Sequence, residues 1–127
     1  MDFFNMKTDK KTIVLGVSPD PKKRAHRVCK KLMEKGHPIV PLGIKEGKVN
    51  DIPIITNTNN PEEAHTVVIF LRASRQTAWF SYILASNPRR IIFNPGSENP
   101  ELVKVARERE IEVLYECTLL MLSSNRY

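Results

Sequence analysis

Residues 66–71, Thr-Val-Val-Ile-Phe-Leu, form a continuous β-branched and aromatic run. A run without polar alternation fits a strand buried on both faces, as in the middle of a parallel sheet covered by helices. The rest of the chain must then supply neighbouring strands and two covering layers. Short apolar runs at 13–15, 38–42, 52–55, 90–93 and 111–116 supply the strands, separated by loops and by stretches of helical period.

The helical stretches carry their own boundaries. Ala25, Val28, Cys29, Leu32 and Met33 form one apolar stripe, Gly36 ends it, and Asp20 followed by Pro21 reads as N-cap and first helical residue. Cys29 lies on the packed stripe, whereas His26 and His37 are expected to face solvent. Ser74 is expected to cap a helix over 74–85, stopped by Asn87 and Pro88. Its apolar residues Ala78, Trp79, Phe80, Tyr82, Ile83 and Leu84 cover much of its girth, so its second apolar face is expected to meet either a second copy in a homodimer or a loop folded over it. Asn99 and Pro100 open a helix to about residue 109, residues 118–122 are apolar enough to pack, and 123–127 are expected to fray.

This alternation predicts an α/β fold: an open, mainly parallel, right-handed sheet of about five strands with helices on both faces. The 127 residues fit one domain, with 1–10 as an N-terminal extension. The two cysteines, Cys29 and Cys117, have no metal-type spacing, and the first residues lack a signal-peptide core, so a cytoplasmic location is expected. No apolar run approaches the roughly 20 residues that span a bilayer.

The formal charge is +6 and lopsided: residues 1–48 hold 12 Lys/Arg against 5 Asp/Glu, the remainder 8 against 9. The basic half favours a polyanionic partner. It also contains the segment 12–27, Thr-Ile-Val-Leu-Gly-Val-Ser-Pro-Asp-Pro-Lys-Lys-Arg-Ala-His-Arg, where an apolar strand breaks at Gly16 into a Ser/Pro turn and a cationic cluster. Glycine permits close backbone approach, and a helix amino terminus behind the turn attracts anions. Ligands in open parallel sheets sit beyond the carboxyl ends of the strands. That rule gathers four turns, at 16–27, 41–43, 72–75 and 94–97, onto one edge.

Common nucleotide signatures are absent. With Gly16 as the first glycine of a G-x-G-x-x-G fingerprint, Ser18 and Pro21 occupy the other two glycine positions, and no acid stands at Val40 to Gly43 to hold a ribose hydroxyl. No P-loop sequence occurs. Nucleic-acid binding has only charge in its favour, because the basic face lacks interleaved aromatics and a recognised motif.

The strings LGVSPDPKKRAHRV, EKGHPIVPLG, IIFNPGSENPEL and IEVLYECTLLML, in this order, resemble the small single-domain CoA-binding proteins. That Rossmann-like family is related to the CoA-binding domain of succinyl-CoA synthetases, and the resemblance spans about residues 11–122. It implies a sheet of order 3-2-1-4-5 with CoA, or acyl-CoA, across its carboxyl edge. The implied cofactor-binding residues are Gly16, Val17, Ser18, Pro19 and Lys23 after the first strand, with Arg24 and Arg27 adding charge. Val40 and Pro41 follow from the second strand, Arg72 from the third turn, and Asn94, Pro95 and Gly96 from the fourth. Two positions depart from the family's pattern: Ala25 replaces a common serine, and Pro41-Leu42-Gly43 replaces a common Asn-Pro.

Catalytic machinery is not legible. His26, His37 and His65 lack an evident carboxylate partner, no metal-ligand cluster occurs, and Cys117 is the best nucleophile candidate only by its place after the last strand. The reading is therefore a cytoplasmic CoA or acyl-CoA binding protein with a small-molecule ligand, no specific nucleic acid and no membrane. A small enzyme using CoA or a related nucleotide at the same edge is the alternative.

Overall fold

A computed structural model describes residues 9–127; residues 1–8 of the predicted extension lie outside it. The main sheet contains β1 (Thr12–Leu15), β2 (Ile39–Leu42), β5 (Thr66–Ile69), β6 (Arg90–Phe93) and β7 (Glu112–Tyr115), all parallel, in the order β2-β1-β5-β6-β7. Two short strands, β3 (Lys48–Val49) and β4 (Ile52–Pro53), form a small antiparallel hairpin. Beyond it, Ile55 bridges Leu42 in parallel. Counting residues 52–55 as the third stretch, the predicted order 3-2-1-4-5 is met, with β7 completing the far edge. Pro41, which has no N–H to give, sits in the outermost strand of the main sheet, where that loss is tolerated.

Strand alternation decides which layer each residue joins. Ile13, Leu15, Val67, Ile69, Ile91 and Phe93 face one core with Trp79, Tyr82, Ile83, Leu102 and Ala106. Val14 on the opposite face packs with Val28, Cys29, Leu32 and Leu122, and Val68 and Ile92 pack with Met121. One face is thus covered by α1 (Arg24–Glu34) and α4 (Thr118–Ser123), the other by α2 (Phe80–Ala85) and α3 (Pro100–Glu108). At about 25 cal/mol per Å² of apolar area, these two layers are the main favourable term in folding.

Helix ends follow local chemistry, with two corrections. Asn99 caps α3 by accepting from the N–H groups of Glu101 and Leu102 at 3.2 and 3.3 Å. Gly36, at φ +85°, ends α1 with His37 N–H donating to the Leu32 carbonyl and Gly36 N–H to that of Met33, a Schellman arrangement. The start of α1 is corrected, however, from the Asp20-Pro21 pair to Lys23 and Arg24. Asp20 instead closes a turn, its carboxylate accepting from Lys22 N–H at 2.9 Å and its carbonyl from Lys23 N–H at 3.1 Å.

The predicted helix over 74–85 is also corrected. It divides into 3₁₀ turns at Ala73–Arg75 and Thr77–Trp79 before α2, and Ser74 caps nothing. The break falls at Gln76, whose fully buried amide is drawn away to Leu71, Ser97 and Asn99. Trp79, Tyr82 and Ile83 are buried in this chain's own core, leaving Phe80 and Leu84 half-buried.

The two histidines expected in solvent are buried, at 3 % exposure for His26 and 8 % for His37. His26 reaches the Ser18 carbonyl, and His37 packs against the Tyr127 ring with centroids 5.1 Å apart. The tail expected to fray is likewise corrected. Tyr127 hydrogen-bonds Thr12 through its hydroxyl, accepts from Lys10 Nζ at its carbonyl at 2.6 Å, and lies under the Arg90 guanidinium at 4.5 Å. Among the described residues, no helix is long and apolar enough to cross a membrane.

Candidate functional site

Three loops meet beyond the carboxyl ends of β2, β1 and β5. The loop after β1 turns at Gly16, whose φ of +103° strains any other residue, and a Cβ there would lie 3.2 Å from the Leu71 side chain. Gly16 and Val17 donate their N–H groups to the Leu42 carbonyl at 2.8 and 2.9 Å, pulling this loop onto the end of β2. The approach is so close that a Cβ on Gly43 would stand 2.1 Å from the Val17 carbonyl oxygen. Only glycine fits at 43.

Ser18 is held from two sides. Its hydroxyl oxygen accepts from Asp20 N–H at 3.1 Å, and its carbonyl accepts from His26 Nδ1 at 2.8 Å. A carbonyl cannot donate, so Nδ1 of His26 carries the proton. A buried histidine on α1 thereby fixes the loop that faces α1's own amino terminus.

These loops enclose a cleft of about 460 Å³. Gly16, Val17 and Ser18 form its floor, Phe70 and Leu71 one apolar wall, and Gly43 and Ile44 the other. Its cations come from three elements: Lys23 and Arg24 at the start of α1, Lys45 after β2 and Arg75 after β5. No acidic residue lines it, and none of the four cations belongs to an ion pair among the described residues. The first turn of α1 receives no side-chain cap, so its free N–H groups and the positive end of its dipole add to the same field. Ile44 is 68 % exposed beside the cleft, a large apolar side chain without a cover.

The sequence-derived residues do not all come together here. Gly16, Val17, Ser18, Lys23 and Arg24 line the cleft. Pro19 adjoins its floor without lining it, and Arg72 is exposed just outside, its carbonyl accepting from Arg75 N–H at 2.9 Å. Arg27 lines a different groove with Lys30, Lys31, Glu34 and Leu119. Val40 and Pro41 are buried inside β2, and the cleft wall begins two residues later. Asn94 is 2 % exposed and spends its amide inside the fold, donating to the Ile69 carbonyl at 3.2 Å and accepting from Thr118 N–H at 2.9 Å. Pro95 and Gly96 are exposed but line no part of the cleft, and Gly96 N–H donates to the Glu98 carboxylate at 3.0 Å.

Ala25, Gly43, Ile44, Lys45, Phe70, Leu71 and Arg75 are cleft residues absent from the sequence-derived set. The turns at 16–27, 41–43 and 72–75 already held three of them, Ala25, Gly43 and Arg75. Ile44 and Lys45 sit in a stretch that reads only as polar loop, and the wall residues are the tail of the apolar run at 66–71.

The other titratable groups stand elsewhere. His37 and His65 lie at the amino ends of the strands, their pKa values lowered first by burial and then by nearby cations, Lys10 for His37 and Arg90 for His65. Burial pushes the Cys29 thiol up to about 12, whereas Cys117 is half-exposed at the start of α4. No group of three or more His, Cys, Asp or Glu able to hold a metal ion occurs among the described residues.

Comparison with known proteins agrees with this architecture. A crystal structure of an uncharacterized protein, 37% identical, superposes with a TM-score of 0.88 over 94% of this chain and 98% of its own. A hypothetical protein from Pyrococcus horikoshii OT3, 21% identical, covers 94% of this chain and 85% of its own with a TM-score of 0.81. A structure described as cell-free ID.343 from Thermus thermophilus, also 21% identical, covers 98% and 95% with a TM-score of 0.78. The last two are similar in fold alone. No curated protein matches. The sequence pattern of the CoA binding domain matches residues 10–123, nearly the whole described chain, and the protein therefore belongs to the CoA-binding domain family.

Proposed function

We propose that the cleft binds CoA or an acyl-CoA, and that the protein is a binding module rather than an enzyme. The observation that carries this reading is the acid-free cleft with four unpaired cations around the uncapped start of α1. CoA brings about four negative charges near neutral pH, its 3′-phosphate contributing roughly −1.5 to −2 as in other phosphomonoesters. Gly16, Val17 and Ser18 let the ligand approach backbone, Lys23 and Arg24 supply charge, and Ile44 offers an apolar surface to a base. Pro19 and Arg72 border this contact set. Arg27, Val40, Pro41, Asn94, Pro95 and Gly96 act from behind it, shaping the edge.

The side chains lining the cleft include one hydroxyl and four cations but no carboxylate, imidazole or thiol. Such a set is suited to holding an anion, which supports the binding reading. The free thiols of Cys29 and Cys117 accord with a reducing, cytoplasmic setting. Self-association through α2 rests on Phe80 and Leu84, its half-buried apolar side chains.

Calorimetric titration tests the reading. CoA should bind with a dissociation constant well below about 1 mM, the −4.1 kcal/mol mark. Absence of heat up to that concentration, with no CoA retained by natively purified protein in mass spectrometry, overturns it.

A further inference from the structure

Charge is divided between the two helical layers. α2 and α3, on one face of the sheet, hold two Lys/Arg and two Glu between them, whereas residues 22–35, which contain α1, hold seven Lys/Arg against Glu34 alone. Lys23, Arg27, Lys31 and Lys35 recur every four residues and so share one line along the helix. Like charges at that spacing weaken a helix, so the stability of α1 does not account for the row. Among the described residues, the one ion pair of α1 joins Lys31 to Glu34 at 3.7 Å, on an exposed surface where such pairs contribute little.

Only the beginning of this row belongs to the cleft. Arg27, Lys30 and Lys31 line a second groove, of about 240 Å³, shared with Glu34 and with Leu119 of α4. Leu120, the next residue of α4, is 63 % exposed. The groove is smaller than the roughly 300 Å³ at which small-molecule pockets begin, so it suits a side chain of a larger partner better than a whole ligand. Residues 22–35 and 118–126 contain no Phe, Trp or Tyr on which a nucleic-acid base could stack. A groove also keeps its cations on its walls, where the plane of bilayer headgroups does not reach, and one exposed leucine is a small anchor for a membrane.

Cations around an apolar pair have a complement, carboxylates around an apolar side chain. We propose that the groove between α1 and α4 docks an acidic segment of a partner protein, Leu119 and Leu120 taking its apolar side chain and Arg27, Lys30 and Lys31 its carboxylates. The exposed pair of Lys31 with Glu34 exchanges for one with the partner at small cost. Because the row starts at Lys23, a cleft residue, the docked segment lies along the helix that begins at the cleft. The assignment stands without the CoA reading.

Amide NMR signals of the isotope-labelled protein test it with a capped peptide of about 15 residues, the length at which isolated helices begin to hold, built from Ala, Glu and Leu with Leu on one stripe. At concentrations below about 1 mM the peptide should move the signals of Arg27, Lys30, Lys31, Leu119 and Leu120. Arg27→Gln/Lys30→Gln and Leu120→Ser, all at exposed positions and so compatible with the fold, should each weaken it about tenfold or more. A counterpart peptide with Gln for every Glu should not bind, and added salt should weaken the acidic one. No shift at these residues, shifts confined to the cleft around Gly16, or equal binding of the Gln peptide overturns the proposal. Tighter binding to the same residues by vesicles of phosphatidylserine and phosphatidylcholine, or by a single-stranded oligonucleotide, overturns it in favour of a membrane or a nucleic acid.

Discussion

Asn99 donates its side-chain amide to the Oε1 of Gln76 at 2.9 Å while its own Oδ1 caps the first turn of α3. Gln76 in turn donates to Leu71 in the cleft wall, so the start of a helix on one face is tied to the edge that holds the ligand. Every polar atom of the Gln76 amide is used, and the residue is fully buried.

Replacing Gln76 with Leu removes three hydrogen bonds and strands buried partners, including the Asn99 amide. At about 1 kcal/mol per bond, plus desolvated groups left unpaired, urea unfolding should show a loss of about 3 kcal/mol or more. A loss under about 1 kcal/mol would mean that the network does not brace the edge.

Gly43→Ala should be more damaging than Gly16→Ala. The first puts a Cβ 2.1 Å from a backbone oxygen, which must move, whereas the second meets the movable Leu71 side chain at 3.2 Å and mainly strains φ. Strain of the latter kind costs on the order of 1–3 kcal/mol. Thermal unfolding of both variants, followed by CoA titration of whichever stays folded, checks the ranking; a Gly43→Ala protein as stable as the wild type contradicts the close approach of the two loops.

Much of this architecture was legible because it depends on period and punctuation. The runs at 13–15, 66–71 and 90–93 carry no polar interruption within β1, β5 and the apolar part of β6, and each became a central strand. Asn99 followed by Pro100 gave the start of α3 directly. The misplaced features depend on tertiary partners that local sequence does not name. Gln76 breaks a helical pattern because of Ser97 and Asn99, more than twenty positions away, and His26 is buried because Ser18 needs an N–H donor. Asn94 has the residue type of a ligand contact, but the Thr118 N–H claims its oxygen. Lys45 was hidden for the opposite reason: a loop cation resembles any solvated surface until the topology brings it to a cleft, whereas Arg75 already fell within a turn placed on the ligand edge.

Stability should fall as the solution is acidified through the histidine range. Lys10 donates its backbone N–H to Nδ1 of His37 at 3.0 Å, so a proton on that nitrogen abolishes the acceptor. His37 is lowered by burial, then by Lys10, with Asp9 opposing and Arg90 and Lys35 adding to the shift. His65 is lowered by burial, then by Arg90, Lys10, Arg89 and His37. A folded pKa below the unfolded value of about 6.5 means that stability is complete above 6.5 and declines as pH drops toward the folded value. Urea midpoints at pH 7.5 and 5.5 (chosen roughly one unit to either side of that value) should differ in the wild type and differ less in His37→Gln/His65→Gln. Equal sensitivity in both proteins would place the acid response elsewhere.

The Tyr127 ring lies 4.5 Å beneath the Arg90 guanidinium and 5.1 Å from the His37 ring. Arg90 is 8 % exposed, its Nε donates to Thr66 Oγ1 at 2.8 Å, and one of its terminal nitrogens is buried without a hydrogen-bond partner. The aromatic face is therefore a principal partner of a buried charge, and removing it leaves that charge over a cavity. Tyr127→Ala should cost about 3–5 kcal/mol, the scale for losing a packed aromatic, while Tyr127→Phe keeps the ring and loses mainly the bond to Thr12, about 1 kcal/mol. Because this cluster sits at the amino ends of the strands, Tyr127→Phe should leave CoA affinity unchanged. Equal unfolding midpoints for Tyr127→Ala and the wild type would show that the tail contributes nothing to holding Arg90 in the fold.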